Sequence, residues 1–304
     1  MNPGIVCLVA LLLDRAFGEP RRLHPLVGFG ALAERIEALM REDEGGSADS
    51  QRFRGGLAVA LLLVPIAFVA MALSDSALGI PFDILVLYLA IGQRSLARHA
   101  RAVHAALERA DMNEARKWVS KLVSRDTDSM NDDDVSRATV ESVLENGCDA
   151  VYGAMFWFAM AGAPGVVVYR LANTLDAMWG YRTERYRAFG WGAARFDDVL
   201  NWIPARLTAM TYACLGNRTQ GMRAWRKQGP LWESPNAGPV MAAGAGALGL
   251  VLGGEANYHG KIRHRPTLGY GRAPLPGDIL RAIRMVANGA WVWAAVILLA
   301  ASIV

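Results

Sequence analysis

Three carboxylates in residues 131–150 are spaced so that they could share one face of a helix. Glu141, Glu145 and Asp149 follow one another at four-residue intervals, with Asn146 beside them. Like charges at this spacing repel one another unless water, a basic partner or a cation lies between them. Oxygen ligands of this kind suit Mg²⁺, which binds one or two carboxylates together with phosphate oxygens. We therefore expect a metal site here, although a solvated helix face would show the same spacing.

Asp132, Asp133 and Asp134 precede this pattern and have an ordinary structural interpretation. Carboxylates in the first turn of a helix complement the helix dipole. The sequence therefore predicts a helix that begins near residue 132.

A second acidic group lies in residues 173–206, a stretch rich in Asp, Arg, Tyr and Trp between apolar segments. Asp197, Asp198 and Asn201 would lie on one helical turn or the next, a geometry that can hold a divalent cation carrying a phosphate. Asp176 could add a further carboxylate. The sequence thus predicts a second position for metal-bound phosphate.

Two short segments contain groups suited to anions. Arg125 follows a serine and precedes Asp126, and its guanidinium could hold a phosphate or carboxylate through two hydrogen bonds. A local ion pair with Asp126 is an equally good interpretation. Ser234 and Asn236 flank a proline ahead of a small-residue segment, which is typical of a helix start. The free N–H groups of such a helix N-terminus could equally bind an anion.

Several familiar motifs are excluded. Residues 244–249 match G-x-G-x-x-G but lie within an apolar small-residue run, which favours close helix packing. Residues 254–261 resemble a P-loop, yet five residues separate the glycines and Ile262 replaces Ser or Thr. The histidines show no zinc-protease spacing, and there is no Gly-x-Ser-x-Gly elbow. Nucleophilic hydrolysis is therefore unsupported.

The composition indicates a membrane protein, since 53% of the 304 residues are hydrophobic and only 20% are charged. Residues 56–73 and 286–304 contain no charged residue, and each is long enough to cross a hydrocarbon core. Residues 4–13, 77–92 and 238–254 are short or interrupted, and we interpret them as spans or half-spans.

The apolar residues 150–169 contain Gly-Ala-Pro-Gly, which predicts a kinked or re-entrant helix. Residues 93–149 indicate a cytoplasmic helical insertion whose first helix is amphipathic, either packed on its neighbours or lying on the membrane surface. The expected fold is an all-α, polytopic helical membrane protein, residues 1–304, with this insertion inside it.

The basic residues predict the topology. Residues 74–80 carry no Lys or Arg, whereas the other polar segments do. If basic loops stay cytoplasmic, residues 56–73 and 77–92 form a hairpin whose tip is outside, and residues 93–147 and 174–202 face the cytoplasm. The net charge of +4 does not indicate nucleic acid, because no basic stripe with interleaved aromatics accompanies it. The expected partner is the lipid bilayer.

Five sequence blocks occur in a characteristic order. They are DRAFGEP at 14–20 with His24-Pro25 after it, SRDT at 124–127, ATVESVLEN at 138–146, the segment 173–209 that begins NTLDAMWGYRTERY, and SPNAG at 234–238. Together they resemble the adenosylcobinamide-phosphate synthase family of cobalamin biosynthesis, and they span most of the chain.

The resemblance implies a multi-pass enzyme of the bacterial inner membrane with its active site facing the cytoplasm. It implies condensation of adenosylcobyric acid with 1-amino-2-propanol or its O-phosphate, using ATP and Mg²⁺, and other enzymes of the pathway are candidate partners. Glu141, Glu145 and Asp198 are then the expected catalytic residues, and Asp149 and Asp197 join them as metal ligands. The expected substrate-binding residues are Asp14, His24, Arg125, Asp126, Asn146, Asn173, Asp176, Tyr181, Tyr186, Asn201, Arg206, Ser234 and Asn236.

Two other classes of function stay open. A membrane prenyltransferase-like enzyme would also place acidic segments on Mg²⁺ and pyrophosphate beneath an apolar cavity. Asp197-Asp198-x-x-Asn201 would suit it, although the full D-D-x-x-D pattern is missing. A non-catalytic membrane anchor for corrinoid enzymes, or a transporter, would tolerate alanine at the acidic clusters.

Overall fold

The computed structural model describes residues 2–20, 25–41, 47–181, 183–258 and 261–303. These residues are predominantly helical and include one two-stranded sheet, which the sequence did not predict. In chain order the helices are α1 (Pro3–Phe17), α2 (Pro25–Met40), α3 (Ala48–Ser74), α4 (Gly79–Ala90), α5 (Gln93–Glu108), α6 (Met112–Val119), α7 (Asp132–Gly147), α8 (Gly153–Trp179), α9 (Trp191–Leu215), α10 (Arg218–Gln228), α11 (Ala237–Leu248) and α12 (Pro276–Ala300). The all-α expectation is confirmed.

Within the described residues, four helical segments are long and apolar enough to cross a membrane. They are Ala48–Ser74, Gly79–Glu108, Asp132–Trp179 and Pro276–Ala300. The first and last correspond to the two spans that the sequence predicts at 56–73 and 286–304. For residues 238–254 the sequence left a span or a half-span open. A full span is excluded, because α11 has only 12 residues and is too short to cross a bilayer.

The chain divides into two compact units. The first contains residues 1–91, 153–201 and 294–304, and the second contains residues 92–152 and 202–293. The expected insertion, residues 93–149, is therefore one part of the second unit, which also includes a long C-terminal portion.

In the first unit, α3 and α4 form the helical hairpin that the sequence predicts. Ser74 at the end of α3 donates a 2.7 Å hydrogen bond to Asp83 of α4. Gly4 of α1 lies so close to Leu298 of α12 that an added Cβ would be 2.2 Å from its Cα. Glycine at position 4 thus permits close packing of these two helices.

The predicted bend in α8 is confirmed. Ala161 and Gly162 have non-helical backbone angles, and Gly162 has a positive φ of 61°. Pro164 follows two residues after Gly162, where its missing N–H and its ring would disturb a continuous helix. Residues Cys148–Tyr152, before α8, form a π-helix.

In the second unit, α7 begins with the predicted acidic turn. Asn131 accepts a 2.9 Å hydrogen bond from the N–H of Asp134, and the Asp134 side chain accepts one from the N–H of Asn131. This capping box satisfies two N–H groups at the start of the helix. The amphipathic helix α5 buries its apolar face, including Ala100 and Val103.

The small-residue helix α11 is buried along its whole length. An added Cβ at Gly244 would lie 2.8 Å from Leu144 of α7, and one at Gly246 would lie 2.5 Å from the carbonyl oxygen of Gln220. The prediction that these glycines serve close helix packing is confirmed.

The sheet consists of β1 (Val251–Tyr258) and β2 (Lys261–Gly269), which pair antiparallel. The register shifts between Leu252 and Gly254, and Gly253 there has a φ of 79°. The P-loop-like residues 254–261 therefore belong to a hairpin, and of these 259–260 lie outside the described residues.

Candidate functional site

Glu141 of α7 is the centre of a buried ion-pair cluster in the second unit. Its Oε2 accepts hydrogen bonds from Arg125 (2.7 Å) and Arg265 (2.9 Å). Its Oε1 accepts from the N–H of Gly253 (2.8 Å) and again from Arg265 (3.2 Å). All four acceptor positions of Glu141, which we expected to bind a metal ion, are thus used by two arginines and one backbone N–H.

The side chains of this cluster are almost fully removed from water. Glu141 is 5% exposed, Arg125 6% and Arg265 12%. A buried carboxylate is tolerated only where charges and hydrogen bonds compensate its lost hydration, and the two arginines do so. Glu141 therefore fixes where Arg125 lies.

The other two carboxylates of the expected row differ in their surroundings. Glu145 lies one turn after Glu141 and interacts electrostatically with it and with both arginines. Asp149 falls in the π-helix and interacts with Tyr212 of α9. Glu141 and Glu145 thus belong to α7, whereas Asp149 lies after Gly147, where the hydrogen-bonding pattern of the helix changes.

A polar cavity of about 440 Å³ adjoins this cluster. Arg125, Asp126, Arg137 and Asn257 are among the residues that line it. The N–H of Asp126 donates a 3.1 Å hydrogen bond to the carbonyl of Asn257, which attaches this segment to β1. The volume falls in the range of roughly 300–1,000 Å³ that proteins use for small ligands. Two residues expected to bind substrate thus lie in the wall of a suitable cavity.

Arg206 of α9 joins the segment that contains Ser234 and Asn236. It donates hydrogen bonds to the side chain of Asn236 (2.8 Å) and to the carbonyl of Pro235 (3.1 Å). Its guanidinium lies 4.5 Å from the ring centre of Trp202. The hydroxyl of Ser234 accepts hydrogen bonds from the N–H groups of Asn236 (3.3 Å) and of the next residue (3.1 Å).

Burial lowers the pKa of Arg206, because partial removal from water disfavours the cation. A bound anion would offset this cost. The structure thus brings together Arg206 and the segment around Ser234, both of which we expected to contact substrate.

Arg265 connects the Glu141 cluster to this second region. Its guanidinium carbon lies 5.3 Å from the ring centre of Trp232. An added Cβ on Gly238 would lie 2.6 Å from the Cβ of Trp232, so the tryptophan packs directly on the start of α11. The sequence did not single out Arg265, since its partner Glu141 precedes it by 124 residues.

In the first unit, amides and a carboxylate of α8 and α9 meet. The amide of Asn201 donates to Asp197 (3.0 Å), and that of Asn173 donates to the other oxygen of Asp197 (3.4 Å). The hydroxyl of Tyr169 donates to the buried Asn201 (2.8 Å). Three of the residues expected from the sequence therefore form one hydrogen-bonded group.

Two further carboxylates belong to this group. Asp176 and Asp198 interact electrostatically with Asp197, and Asp198 also accepts a 3.3 Å hydrogen bond from Arg195. Burial raises the pKa of Asp197 to about 6, while hydrogen bonds from the two asparagines and the charge of Arg170 act in the opposite direction. Asp176, Asp197 and Asp198 thus lie close enough to interact with one another.

A buried carboxylate that the sequence analysis missed, Glu37, orders the region around Tyr186. It accepts hydrogen bonds from Arg185 (2.6 and 3.0 Å), Trp179 (3.2 Å) and Tyr186 (3.3 Å). Glu37 belongs to the buried face of α2, on which the buried residues Phe29, Ala33 and Glu37 follow one another at four-residue intervals. A charged residue on an apolar helix face was the signal that could have identified it.

Three expected substrate-binding residues lie apart from these groups, and a fourth falls outside the described residues. Asp14 is buried in α1. Asn146 donates hydrogen bonds to the carbonyl and hydroxyl oxygens of Ser142, one turn earlier. Tyr181 is exposed, and His24 lies outside the described residues.

Comparison with known proteins identifies the family. The model of the CobD/Cbib protein family matches residues 7–286. The chain is 55% identical to a cobalamin biosynthesis protein CobD of Chromobacterium violaceum, over all of this chain and 98% of the relative. The chain belongs to the CobD/Cbib protein family.

Other members of the family are similar over nearly their whole length. A CobD protein of Stutzerimonas stutzeri is 54% identical, over 98% of both chains, and one of Mycobacterium tuberculosis is 40% identical, over 94% of this chain and 93% of the relative. No solved structure matches the chain.

The described residues of this CobD/Cbib chain can supply only some of the ligands that a magnesium ion needs. Within the described residues, no group of three or more Asp, Glu, His or Cys side chains is arranged to hold a metal ion. Mg²⁺ commonly takes one or two carboxylates and completes its shell with phosphate oxygens and water. Glu145 in the second unit, or the neighbouring Asp197 and Asp198 in the first, could supply such a partial set.

Proposed function

We propose that the chain joins 1-amino-2-propanol, or its O-phosphate, to a carboxylate of adenosylcobyric acid in an ATP-dependent condensation. The observation that carries the proposal is that Arg125 and Asp126 line a polar cavity while Glu141 holds Arg125 in place. The name of the relatives, cobalamin biosynthesis protein, supports the pathway. The product would be adenosylcobinamide or its phosphate.

The chemistry requires that a poor electrophile be activated. A carboxylate and an amine do not condense at neutral pH, because the carboxylate resists nucleophilic attack. In the proposed sequence a carboxylate oxygen of the corrinoid attacks the terminal phosphorus of ATP, giving an acyl phosphate and ADP. The amine nitrogen then attacks the acyl carbon, phosphate leaves with its C–O bond electrons, and the nitrogen loses a proton.

The protein's part in such a reaction is to position the reactants and to neutralise phosphate charge. We assign phosphate binding to Arg125, whose guanidinium is pre-oriented by Glu141 and lines the cavity. A rigid planar donor loses less rotational freedom on binding than a lysine would. Glu141 is then a positioning residue.

Arg206 and the turn at Ser234 and Asn236 form the second proposed anion site. Arg206 is partly desolvated and is already oriented by Asn236 and by its contact with Trp202. We assign to it a carboxylate or phosphate of the corrinoid or of the amine's O-phosphate. The partly buried hydrogen bonds that Ser234 accepts hold the turn in one conformation.

We propose that Mg²⁺ accompanies the nucleotide, with Glu145 as one ligand and phosphate oxygens as others. Asp197 and Asp198 are the alternative ligands, with Asn173, Asp176 and Asn201 supporting them. When bound, the ion would neutralise charge on the phosphate that is transferred.

The four helical segments that are long and apolar enough to cross a membrane agree with a reaction at the cytoplasmic membrane. We propose that the groups around Glu141 and around Asp197 face the cytoplasm, where ATP is available. Other corrinoid enzymes are proposed partners there. This orientation follows from the distribution of basic residues in the sequence.

The deciding experiment uses the purified full-length protein in detergent with adenosylcobyric acid, ATP, Mg²⁺ and either amine. Mass spectrometry should find the amide product. ADP should form only when the corrinoid is present, and its continued production over many turnovers should also require an amine. ADP release that ignores the corrinoid would contradict the proposal. Absence of product in a well-folded preparation that binds the corrinoid would favour the anchor interpretation.

A further inference from the structure

The first unit contains an apolar cavity that the proposed reaction does not use. Its volume is about 530 Å³, and residues of α2, α3, α4 and α8 line it. Buried lining residues include Phe29, Ala70, Ala90 and Val166. The size falls within the range of roughly 300–1,000 Å³ typical of ligand sites.

The rim of this cavity is also apolar. Leu32, Val69, Leu73 and Leu85 line the cavity and are exposed at the surface, and Val69 is 59% exposed. Both Val69 and Leu73 belong to α3, which is apolar enough to cross a membrane. Because this rim lies on a helix that can cross the membrane, the adjoining source of an apolar occupant is the hydrocarbon of the bilayer.

One wall of the cavity is charged. Among the lining residues that the structure describes, Arg170 of α8 is the only charged one. Arg170 attracts Asp197, so part of its charge is already compensated. A guanidinium has five N–H donors, and it can therefore serve a carboxylate and a phosphate at the same time.

We propose that this cavity binds one glycerophospholipid of the membrane, with an acyl chain among the apolar side chains and its phosphate on Arg170. Apolar walls, an apolar rim and one bidentate cation together match the chemistry of such a lipid. The proposal does not depend on the proposed reaction, because no residue of the cavity is assigned to the corrinoid, the amine or ATP.

The test compares two substitutions on the same helix. Val69→Trp adds a bulky ring at the cavity, whereas Val64→Trp makes the same change at a position on α3 that is 50% exposed and lies outside the cavity lining. The full-length proteins are purified in mild detergent, and phospholipid per chain is measured by native mass spectrometry and phosphorus assay. Retained phospholipid should be lost in Val69→Trp and kept in wild type and Val64→Trp.

Arg170→Gln tests the phosphate contact. Removing a charge-assisted hydrogen bond should weaken the affinity for added phosphatidylethanolamine or phosphatidylglycerol by roughly tenfold, which corresponds to about 1.4 kcal/mol. An affinity that is unchanged in Arg170→Gln would overturn the headgroup assignment. If Val69→Trp and Val64→Trp retain equal phospholipid, or if inorganic phosphate binds while lipid does not, the cavity is not a phospholipid site.

Folding is checked separately from binding. Monodispersity and melting temperature should be similar for the two tryptophan variants. Should Val69→Trp fail to fold, Arg170→Gln alone decides the matter, because its lipid affinity must fall if the phosphate binds there.

Discussion

Arg206 in α9 donates a 2.8 Å hydrogen bond to the side-chain oxygen of Asn236, which follows it by 30 residues. The contact joins two of the five sequence blocks, residues 173–209 and SPNAG at 234–238. Because Nη2 of the same guanidinium donates to the carbonyl of Pro235, Arg206 spans the turn before α11 with two nitrogens.

Replacing Arg206 with lysine should therefore impair the reaction although the charge remains. Lysine cannot span the turn with two nitrogens, so we expect a loss of at least tenfold in kcat/KM, about 1.4 kcal/mol, expressed mainly as a higher KM for the anionic substrate. Arg226→Lys, at an exposed position in α10, is the matched control and should behave like wild type. Equal kinetics for the two variants would remove Arg206 from the site.

Glu141→Gln and Glu145→Gln should have different consequences, although the two residues are one helical turn apart. Glu141 compensates two buried arginines, and its loss should destabilise the protein by about 3 kcal/mol. Glu145 is proposed to bind Mg²⁺, so Glu145→Gln should melt near the wild-type temperature while turnover falls by orders of magnitude. Melting curves and steady-state rates on both variants check this. Near-normal activity in Glu145→Gln would exclude this residue as a ligand.

Two substitutions of Arg125 should distinguish a role in binding phosphate from a role in stabilising the protein. Arg125→Lys keeps a cation beside Glu141 and should preserve stability, but it loses the planar donor pair proposed to hold phosphate. Arg125→Ala should lose both activity and thermal stability. An Arg125→Lys protein with wild-type kinetics would show that Arg125 serves only to compensate Glu141.

Much of the fold was predictable because it depends on local sequence. Apolar length predicted the spans in α3 and α12, Gly162 and its neighbours predicted the bend in α8, and the acidic turn predicted the start of α7. Each of these features depends on one continuous stretch of sequence, so apolar length and residue spacing contain the information.

The clusters were less predictable because they depend on distant contacts. Spacing suggested that Glu141 was a metal ligand, but its actual partner Arg265 comes from a hairpin 124 residues away. The π-helix that contains Asp149 leaves no clear signal in composition. By contrast, Asp197 and Asn201 were grouped correctly, since both belong to one helix.

The raised pKa of Asp197 should make stability depend on pH in mild acid. In the folded protein this carboxyl binds its proton up to about pH 6, whereas in the unfolded chain it is ionised above about pH 4. Between these values the folded state binds more protons, so stability should fall as pH rises through this window. Asp197→Asn removes the titrating group, and its melting temperature should change less across the same window. Parallel profiles for the two proteins would contradict the assignment.

The final prediction concerns the hairpin of α3 and α4, whose turn at residues 75–78 should face the periplasm. Only this connection between apolar segments lacks Lys and Arg, and basic loops are retained on the cytoplasmic side. The exposed Cys214 is first replaced by serine, which leaves two buried cysteines, and one exposed cysteine at a time is then placed at Ser76, Asp128 or Glu184. A membrane-impermeant maleimide should label Ser76→Cys in intact cells, and it should label Asp128→Cys and Glu184→Cys only after the membrane is opened. Strong labelling of either cytoplasmic position in intact cells would reverse the topology and place the proposed ATP site on the wrong side of the membrane.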